Sequence, residues 1–492
     1  MNIIPIVPSN GKDPVSTLGF TDDQLNAYKE LIDFIDSPYN PNDYKRALIG
    51  YAGTGKTYLT KSLIKNCKLN YSLIGLAAPT HKAARVLKEN IRISNVKINT
   101  VASDLGLKPN YEHQAFDINN PPFDSQGKIK IGNYKVYIVD EASMVSRSMS
   151  MLLEKVCKDK GCKIIYIGDD AQLPPVNESY SSALRGVKSY KLSKIVRQDE
   201  DNPIRYLLQL LRYDIEHNTF YFLTYIGKNK EKFDVGYTKG YQVCNSEDFG
   251  QKVLTYFTDE QLTKNVDFVK IVGYTNDCVS NWNKFIRYNI ITDAETSVIT
   301  KNDLFTSYLT VVNQFNETVI INSEDYILND VVNYVHPTYE LQGFLVKFTA
   351  ICGGKITTPL FILNHKDLFS VDRYVKLSND LIQSAKSASA KTRAQRWREY
   401  FAFKEGVLLL CDIKKQIGDE LKTIFSRNID YGFSITAHKS QGSTYDTCMV
   451  DVDDICFNKY GALRSNAESI NRMLYVACSR AKNKLYLKYG RF

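Results

Sequence analysis

The chain has 492 residues, 24% charged and 43% hydrophobic, with 63 Lys and Arg against 54 Asp and Glu, a formal net charge of +9. That length suits about three domains of roughly 150 residues, and the mild positive excess is compatible with a nucleic-acid partner without singling one out. The 10 cysteines form no C-x-x-C pair, which argues against a structural zinc site and a disulfide framework.

The opening "MNIIPIVPSNGKDPVSTLGF" lacks a basic n-region and a long apolar core, so it does not read as a signal peptide. No apolar run nears the roughly 20 residues of a membrane span. A soluble chain in a reducing compartment, the cytoplasm, with no membrane partner is the expectation.

The first strong signal is "GYAGTGKTYLT" at residues 50–60, which fits G-x-x-x-x-G-K-T after the apolar "ALI". Gly50, Gly53 and Gly55 let a loop bring backbone N–H groups to phosphate oxygens, with Thr54 inside the turn. Lys56 supplies a charge for the β/γ-phosphates and the Thr57 hydroxyl can ligate Mg²⁺, so ATP with Mg²⁺ is the expected ligand pair. Leu59, Leu63 and Ile64 predict a helix packed on a sheet.

A phosphate loop needs a metal-holding carboxylate at a nearby strand end. "YKVYIVDEASM" offers Val136 to Val139 as a buried strand, then Asp140 for the metal and Glu141 to deprotonate the attacking water. A third strand, Cys162 to Asp170, runs into "AQLPPV", where Gln172 can sense the γ-phosphate and Pro174 and Pro175 stiffen the loop. Between these, Leu107 to Tyr134 is polar and turn-rich and closes on "KIKI", which predicts a β-hairpin excursion. Farther on, Gly343 to Leu363 alternates around Gly353 and Gly354, a hairpin signal within a small β-barrel. Ser389 to Gly406 predicts a charged helix in which Trp397 either docks on that barrel or meets DNA.

Taken in order, these stretches resemble superfamily 1 helicases, specifically the 1B branch that includes the Dda and RecD helicases. "GFTDDQLNAYKEL" is similar to the adenine-reading Q motif, with Gln24 as reader, and "GYAGTGKT" to motif I. "APTHKAA" resembles motif Ia, "DEASMV" motif II, "GDDAQLPPV" motif III and "LSKIVRQ" motif IV with Arg197. "VGYTNDCVSNWNKFIR" looks like the stretch that opens the second motor domain, "ITAHKSQGSTYD" like motif V, and "LYVACSRAK" like motif VI with Arg480. One departure is Ala102 in "NTVASDLGL", where many relatives carry a histidine; Thr100 and Ser103 remain as weaker DNA contacts.

The resemblance implies an α/β protein of two RecA-like P-loop motor domains. The first spans 1–190 with a pin-like hairpin insert at 107–134; the second spans 191–300 and 426–492 and carries an SH3-like β-barrel accessory domain at 301–425. It implies that Arg197 and Arg480 reach the γ-phosphate from the second motor, with Gln441 and Gly442 coupling nucleotide to DNA. Thr80, His81, Thr436, His438 and Lys439 would touch the DNA backbone, and Phe116 and Phe123 would part the duplex. The implied activity is an ATP-dependent, 5′-3′ DNA helicase, acting as a monomer on single-stranded and forked or tailed DNA. Replication or recombination in a virus or a bacterium would suit it. An RNA-directed helicase and a nucleotide-gated single-strand clamp are the alternatives.

Overall fold

A computed structural model of the chain describes residues 19–110, 123–125, 127–175, 178–194, 202–312, 318–350, 356–418 and 420–490. Two mainly parallel six-stranded sheets and one five-stranded antiparallel sheet organise it. The first sheet runs in the order Lys97–Thr100, Ile74–Ala78, Val136–Val139, Lys163–Gly168, Lys45–Gly50, Ser189–Leu192, all parallel. Its inner strands are buried along nearly their whole length, as strands covered on both faces must be, while the two edge strands carry polar, exposed residues. Leu48 lies opposite Ile167 and Ala47 opposite Tyr166, all buried. Because every strand points the same way, the segments that follow them gather along one edge, where ligands bind in open α/β sheets.

The second sheet runs Ser434–Thr436, Val269–Gly273, Tyr445–Asp451, Ala481–Lys488, Gly240–Cys244, Glu231–Phe233, with only the last strand antiparallel. Its main core is not closed on itself. Ala171 and Leu173, which follow the first sheet's Lys163–Gly168 strand, pack in one cluster with Leu207, Leu211, Tyr475 and Val450 from the second half. The two halves therefore share apolar surface beside the ends of the first sheet.

The third sheet takes Leu304–Ser307, Asp325–Val335, Gln342–Ala350, Leu360–Leu363 and Ile429–Tyr431. The hairpin signal is met by Gln342–Ala350 pairing antiparallel with Leu360–Leu363, Gly343 opposite Leu363; Gly353 and Gly354 lie outside the described residues. A buried ion pair, Lys270 to Asp325 at 3.1 Å, fastens this sheet to the second one. Two helices, Leu368–Ser387 and Ala390–Gly406, pack on each other beside it. Trp397 is 1% exposed between them, clustered with Tyr400 and Ala385. It serves packing, and Trp397→Ala is expected to cost about 3–5 kcal/mol. Denaturant unfolding checks this, and an unchanged midpoint would contradict the burial.

The excursion after Leu107 differs in detail from the sequence expectation. Its paired strands are Lys108–Pro109 and Phe123–Asp124, not "KIKI". Gly127 N–H donates to the Gly106 carbonyl and Lys130 N–H to the Asp104 carbonyl, and Ile131 is buried. That apolar anchor and those bonds return the segment to the sheet instead of extending a strand. Among the described residues no helix is long and apolar enough to cross a membrane.

Candidate nucleotide and nucleic-acid site

The loop from Gly50 to Thr57 leaves the strand next to one edge of the first sheet and enters the helix Lys56–Asn66, whose Leu59, Leu63 and Ile64 are fully buried. Gly53 and Gly55 have φ of +83° and +82°, a region that other residues rarely adopt. A Cβ on Gly55 would also come within 2.6 Å of the Gln24 amide nitrogen. Lys56 Nζ donates to the carbonyls of Gly50 (2.6 Å) and Tyr51 (3.0 Å), and Thr54 Oγ1 donates to the Tyr51 carbonyl at 2.8 Å.

Gln24 is 2% exposed and engaged at both ends. Its Nε2 donates to the Thr54 carbonyl at 2.9 Å and its Oε1 accepts from Thr21 N–H at 3.0 Å. Thr21 in turn caps the helix Asp22–Asp36 in a capping box. Gln24, Gly53, Gly55, Lys56 and Thr57 line a cleft of about 340 Å³.

Asp140 and Glu141 follow the Val136–Val139 strand, two strands from the loop strand. The Asp140 carboxyl accepts from Glu141 N–H at 3.0 Å. Burial, reinforced by the Glu141 charge, pushes it up to about 7, while the Lys56 charge pulls it down. A half-buried carboxyl that is costly to ionise, with Glu141 and Lys56 as its charged neighbours, suits a divalent cation. Glu141 sits at φ +50°, ψ +39°, an uncommon left-handed conformation of the kind that collects at functional sites. Gln172 is 6% exposed and its Oε1 has no partner. A buried acceptor of this kind calls for a donor such as an ordered water.

The second half reaches this loop directly. The Tyr475 hydroxyl donates to Asp169 Oδ2 at 2.8 Å and accepts from Ala52 N–H at 3.4 Å. Burial, with the Asp169 charge adding to it, raises the Tyr475 phenol far above its ordinary range, so it stays a donor. Arg472 donates to the carbonyls of Asp170 and Gln172. Gln441 Nε2 donates to the Leu173 carbonyl at 3.3 Å.

Along the same edges, Thr100 and Thr436 end their strands and Thr80 follows its strand by two residues, and each caps the helix that comes next. Their hydroxyls accept from Ala83, Ser103 and Lys439 N–H. His81 is exposed at the first turn of its helix. His438 and Thr436 line a groove of about 730 Å³ with Tyr274, Asn276, Lys414 and Arg427, and burial lowers the His438 pKa. Ser103 Oγ accepts from Lys130 Nζ at 2.9 Å. A Cβ on Gly442 would lie 3.6 Å from the Ala83 Cβ, so the loops of the two halves meet.

Residues 32–227 match a family model described as an AAA domain. The chain is 32% identical over 159 residues to the ATP-dependent RecD2 DNA helicase of Deinococcus radiodurans, covering 32% of this chain and 20% of that protein. It is 30% identical over 164 residues to the ATP-dependent DNA helicase dda of Enterobacteria phage T4, covering 33% of this chain and 35% of that one. Over those segments the chain is similar to two DNA helicases, beside its match to the AAA-domain model. An uncharacterised protein, R530 of Acanthamoeba polyphaga mimivirus, is 26% identical over 514 residues, covering 94% of this chain and 98% of its own. The matched regions span about a fifth of RecD2 and about a third of Dda.

The structure brings Gln24, Gly53, Thr54, Gly55, Lys56 and Thr57 together, with Asp140, Glu141 and Gln172 following strands of the same sheet. Six expected site residues have other partners here. Arg480, 5% exposed, donates to the carbonyls of Val476 (2.9 Å) and Ser443 (3.0 Å) and to Ser479 Oγ. These bonds tie motif VI to motif V and leave the guanidinium in its own half. Gln441 contacts the motif III segment instead of the phosphate loop. Lys439 lies 2.7 Å from the centre of the Tyr308 ring, and burial, with the Arg427 charge beside it, pushes its pKa down to about 7, so it is not presented as a free cation for DNA. Thr80, Thr100 and Thr436 spend their hydroxyls as helix caps. Arg197 and Phe116 lie outside the described residues; Phe123 is 55% exposed.

Sequence reasoning missed Tyr475, Asp169 and Arg472 as cross-cleft contacts. Tyr475 stood inside the quoted motif VI and Asp169 inside motif III, so the signal was present but unassigned.

Proposed function

We propose that this chain is an ATP-driven motor that moves 5′ to 3′ along single-stranded DNA and separates duplex ahead of it. The observation that carries the reading is the seating of the second α/β half on the phosphate-binding loop of the first, through Tyr475 on Ala52 and Asp169. A ligand that rearranges that loop must act on both halves, which is what a two-state hinge requires.

In this reading the sheets at 1–190 and at 191–300 with 426–492 are RecA-like motors. Residues 301–425 form an SH3-like accessory unit. Lys56 and the loop N–H groups hold the β/γ-phosphates, Gln24 braces the loop beside the adenine, and Thr57 with Asp140 would hold Mg²⁺. When bound, Mg²⁺ neutralises phosphate charge. Glu141 takes the proton of the attacking water, which Gln172 helps place through its unpaired Oε1. Arg197 and Arg480 complete the site only if Arg480 exchanges its carbonyl partners for phosphate oxygens. DNA crosses the edge formed by His81, Ser103 and the groove at His438, with phosphates near the helix N-termini that Thr80, Thr100 and Thr436 cap. The similar proteins include a phage and a mimivirus protein, and a virus-encoded replication or recombination role fits.

ATP hydrolysis measured with no nucleic acid, with single-stranded DNA and with single-stranded RNA tests this. DNA should stimulate turnover strongly. Stimulation by RNA alone would favour an RNA-directed helicase, and absence of turnover with tight ATP-dependent DNA binding would favour a clamp. Phe116 and Phe123 are read as the strand-parting pin. Replacing both by alanine should spare DNA-stimulated hydrolysis and weaken duplex opening; opening at the wild-type rate would place the pin elsewhere.

A further inference from the structure

The phosphate-binding loop is also held from the second half by a cation that no motif supplies. Arg212, within the helix Ile204–His217, is 7% exposed. Its guanidinium carbon lies 3.9 Å from the centre of the Tyr51 ring in the loop. Nη2 donates to the Tyr475 hydroxyl at 3.3 Å, and Nε is buried with no hydrogen-bond partner. Tyr51 returns the contact, its hydroxyl donating to Glu216 at 3.1 Å one turn along the same helix. One side chain of the loop is thus held at its ring and at its hydroxyl by a single helix of the other half.

The position of Tyr51 gives that hold a chemical consequence. Its carbonyl accepts from Lys56 Nζ and from Thr54 Oγ1, so the residue under Arg212 is, with Gly50, one of the two whose carbonyls set where the lysine ammonium rests. An aliphatic side chain would fill this helix position without the cost of an unpaired buried N–H. A guanidinium offsets that cost by stacking flat on an aromatic ring, which an ammonium does less well.

We propose that Arg212 is a positioning residue for nucleotide turnover. By stacking on Tyr51 it keeps the Lys56-bearing loop in register with the second half, so that loop and helix move as one when the cleft opens and closes. Arg212 acts through Tyr51 and Tyr475, not on the phosphates, which separates it from the motif arginines Arg197 and Arg480. The role in turnover rests on the motor reading above; the hold on the loop does not.

Two measurements on the full chain test it, using Arg212→Ala, Arg212→Lys, Tyr51→Phe, Tyr51→Ala and the double alanine variant. The first is amide hydrogen exchange across residues 50–56 without nucleotide. Arg212→Ala should speed loop exchange by about three- to thirtyfold, the range expected for losing one stacked, largely desolvated cation. Tyr51→Phe, which keeps the ring, should stay near wild type. The second is DNA-stimulated ATP turnover. Arg212→Ala should lower kcat by about tenfold with KM changed less than about twofold, since an effect on the chemical step alone leaves ground-state binding in place. Arg212→Lys should recover part of the loss, and the double variant should be no worse than either single one.

Unchanged loop exchange in Arg212→Ala would overturn the hold. Losses that multiply in the double variant, or a change in KM alone, would overturn the positioning role. No turnover in the wild type would overturn the motor reading and the turnover role with it, while the exchange result would still decide the hold.

Discussion

Lys56→Ala is expected to leave a folded protein with almost no ATP turnover, kcat falling at least about a hundredfold. A hydrogen bond to a charged group contributes about 1.5–3 kcal/mol, and each 1.36 kcal/mol is about tenfold in rate. Ground-state contacts of that size weaken ATP binding by about ten- to a hundredfold, and loss of a donor aimed at the charge that builds on the phosphoryl group in the transition state lowers kcat by about 10²–10³. Lys56 also donates to the Gly50 and Tyr51 carbonyls, so its removal loosens the loop as well as the ligand. Thermal melting should be close to wild type, because the helix that follows is anchored by Leu59, Leu63 and Ile64. Phosphate release in a single turnover is the check, and retained turnover would remove the loop from the nucleotide site.

Glu141→Gln should uncouple binding from hydrolysis. The amide keeps the shape of the side chain and changes nothing about the left-handed backbone at this position, so the local fold should survive. Loss of a positioned general base lowers rate by about 10²–10⁴-fold. The Glu141 charge is one of the causes, after burial, that raise the Asp140 carboxyl. Removing it makes Asp140 easier to ionise, so Mg²⁺ dependence should shift to lower concentration or stay put. The expected variant binds ATP and single-stranded DNA as tightly as wild type and turns over slowly. Equilibrium binding of both ligands beside steady-state turnover separates the outcomes, and normal turnover would deny Glu141 the role of base.

The geometry of the proposed phosphate-binding loop was legible because local rules write it. The glycine spacing around Lys56 needs positive φ at Gly53 and Gly55, and both have it. Four apolar residues ahead of Asp140 form the strand Val136–Val139, and the alternation either side of Gly353 and Gly354 forms the paired strands of the third sheet. The expectations that changed concern groups whose partners lie far along the chain. Lys439 is covered by Tyr308, and Arg480 is claimed by Ser443 in another motif. Neither follows from periodicity or spacing.

The three threonines are a different case. A threonine between a strand and a helix is first of all a good N-cap, and Thr80, Thr100 and Thr436 all act as one. That role was readable from the pattern and competes with direct phosphate contact. Arg212 had no legible signal, because an arginine one position after Leu211 in an amphipathic helix reads as a boundary residue. Only the approach of Tyr51 from the other half makes it a buried contact.

Strand separation on two matched DNA duplexes, one with a 5′ single-stranded tail and one with a 3′ tail, with ATP and Mg²⁺, tests the motor most directly. Opening of the 5′-tailed duplex, and not of the 3′-tailed one, is the predicted result. Failure to open either duplex, under conditions where single-stranded DNA binds, would contradict it.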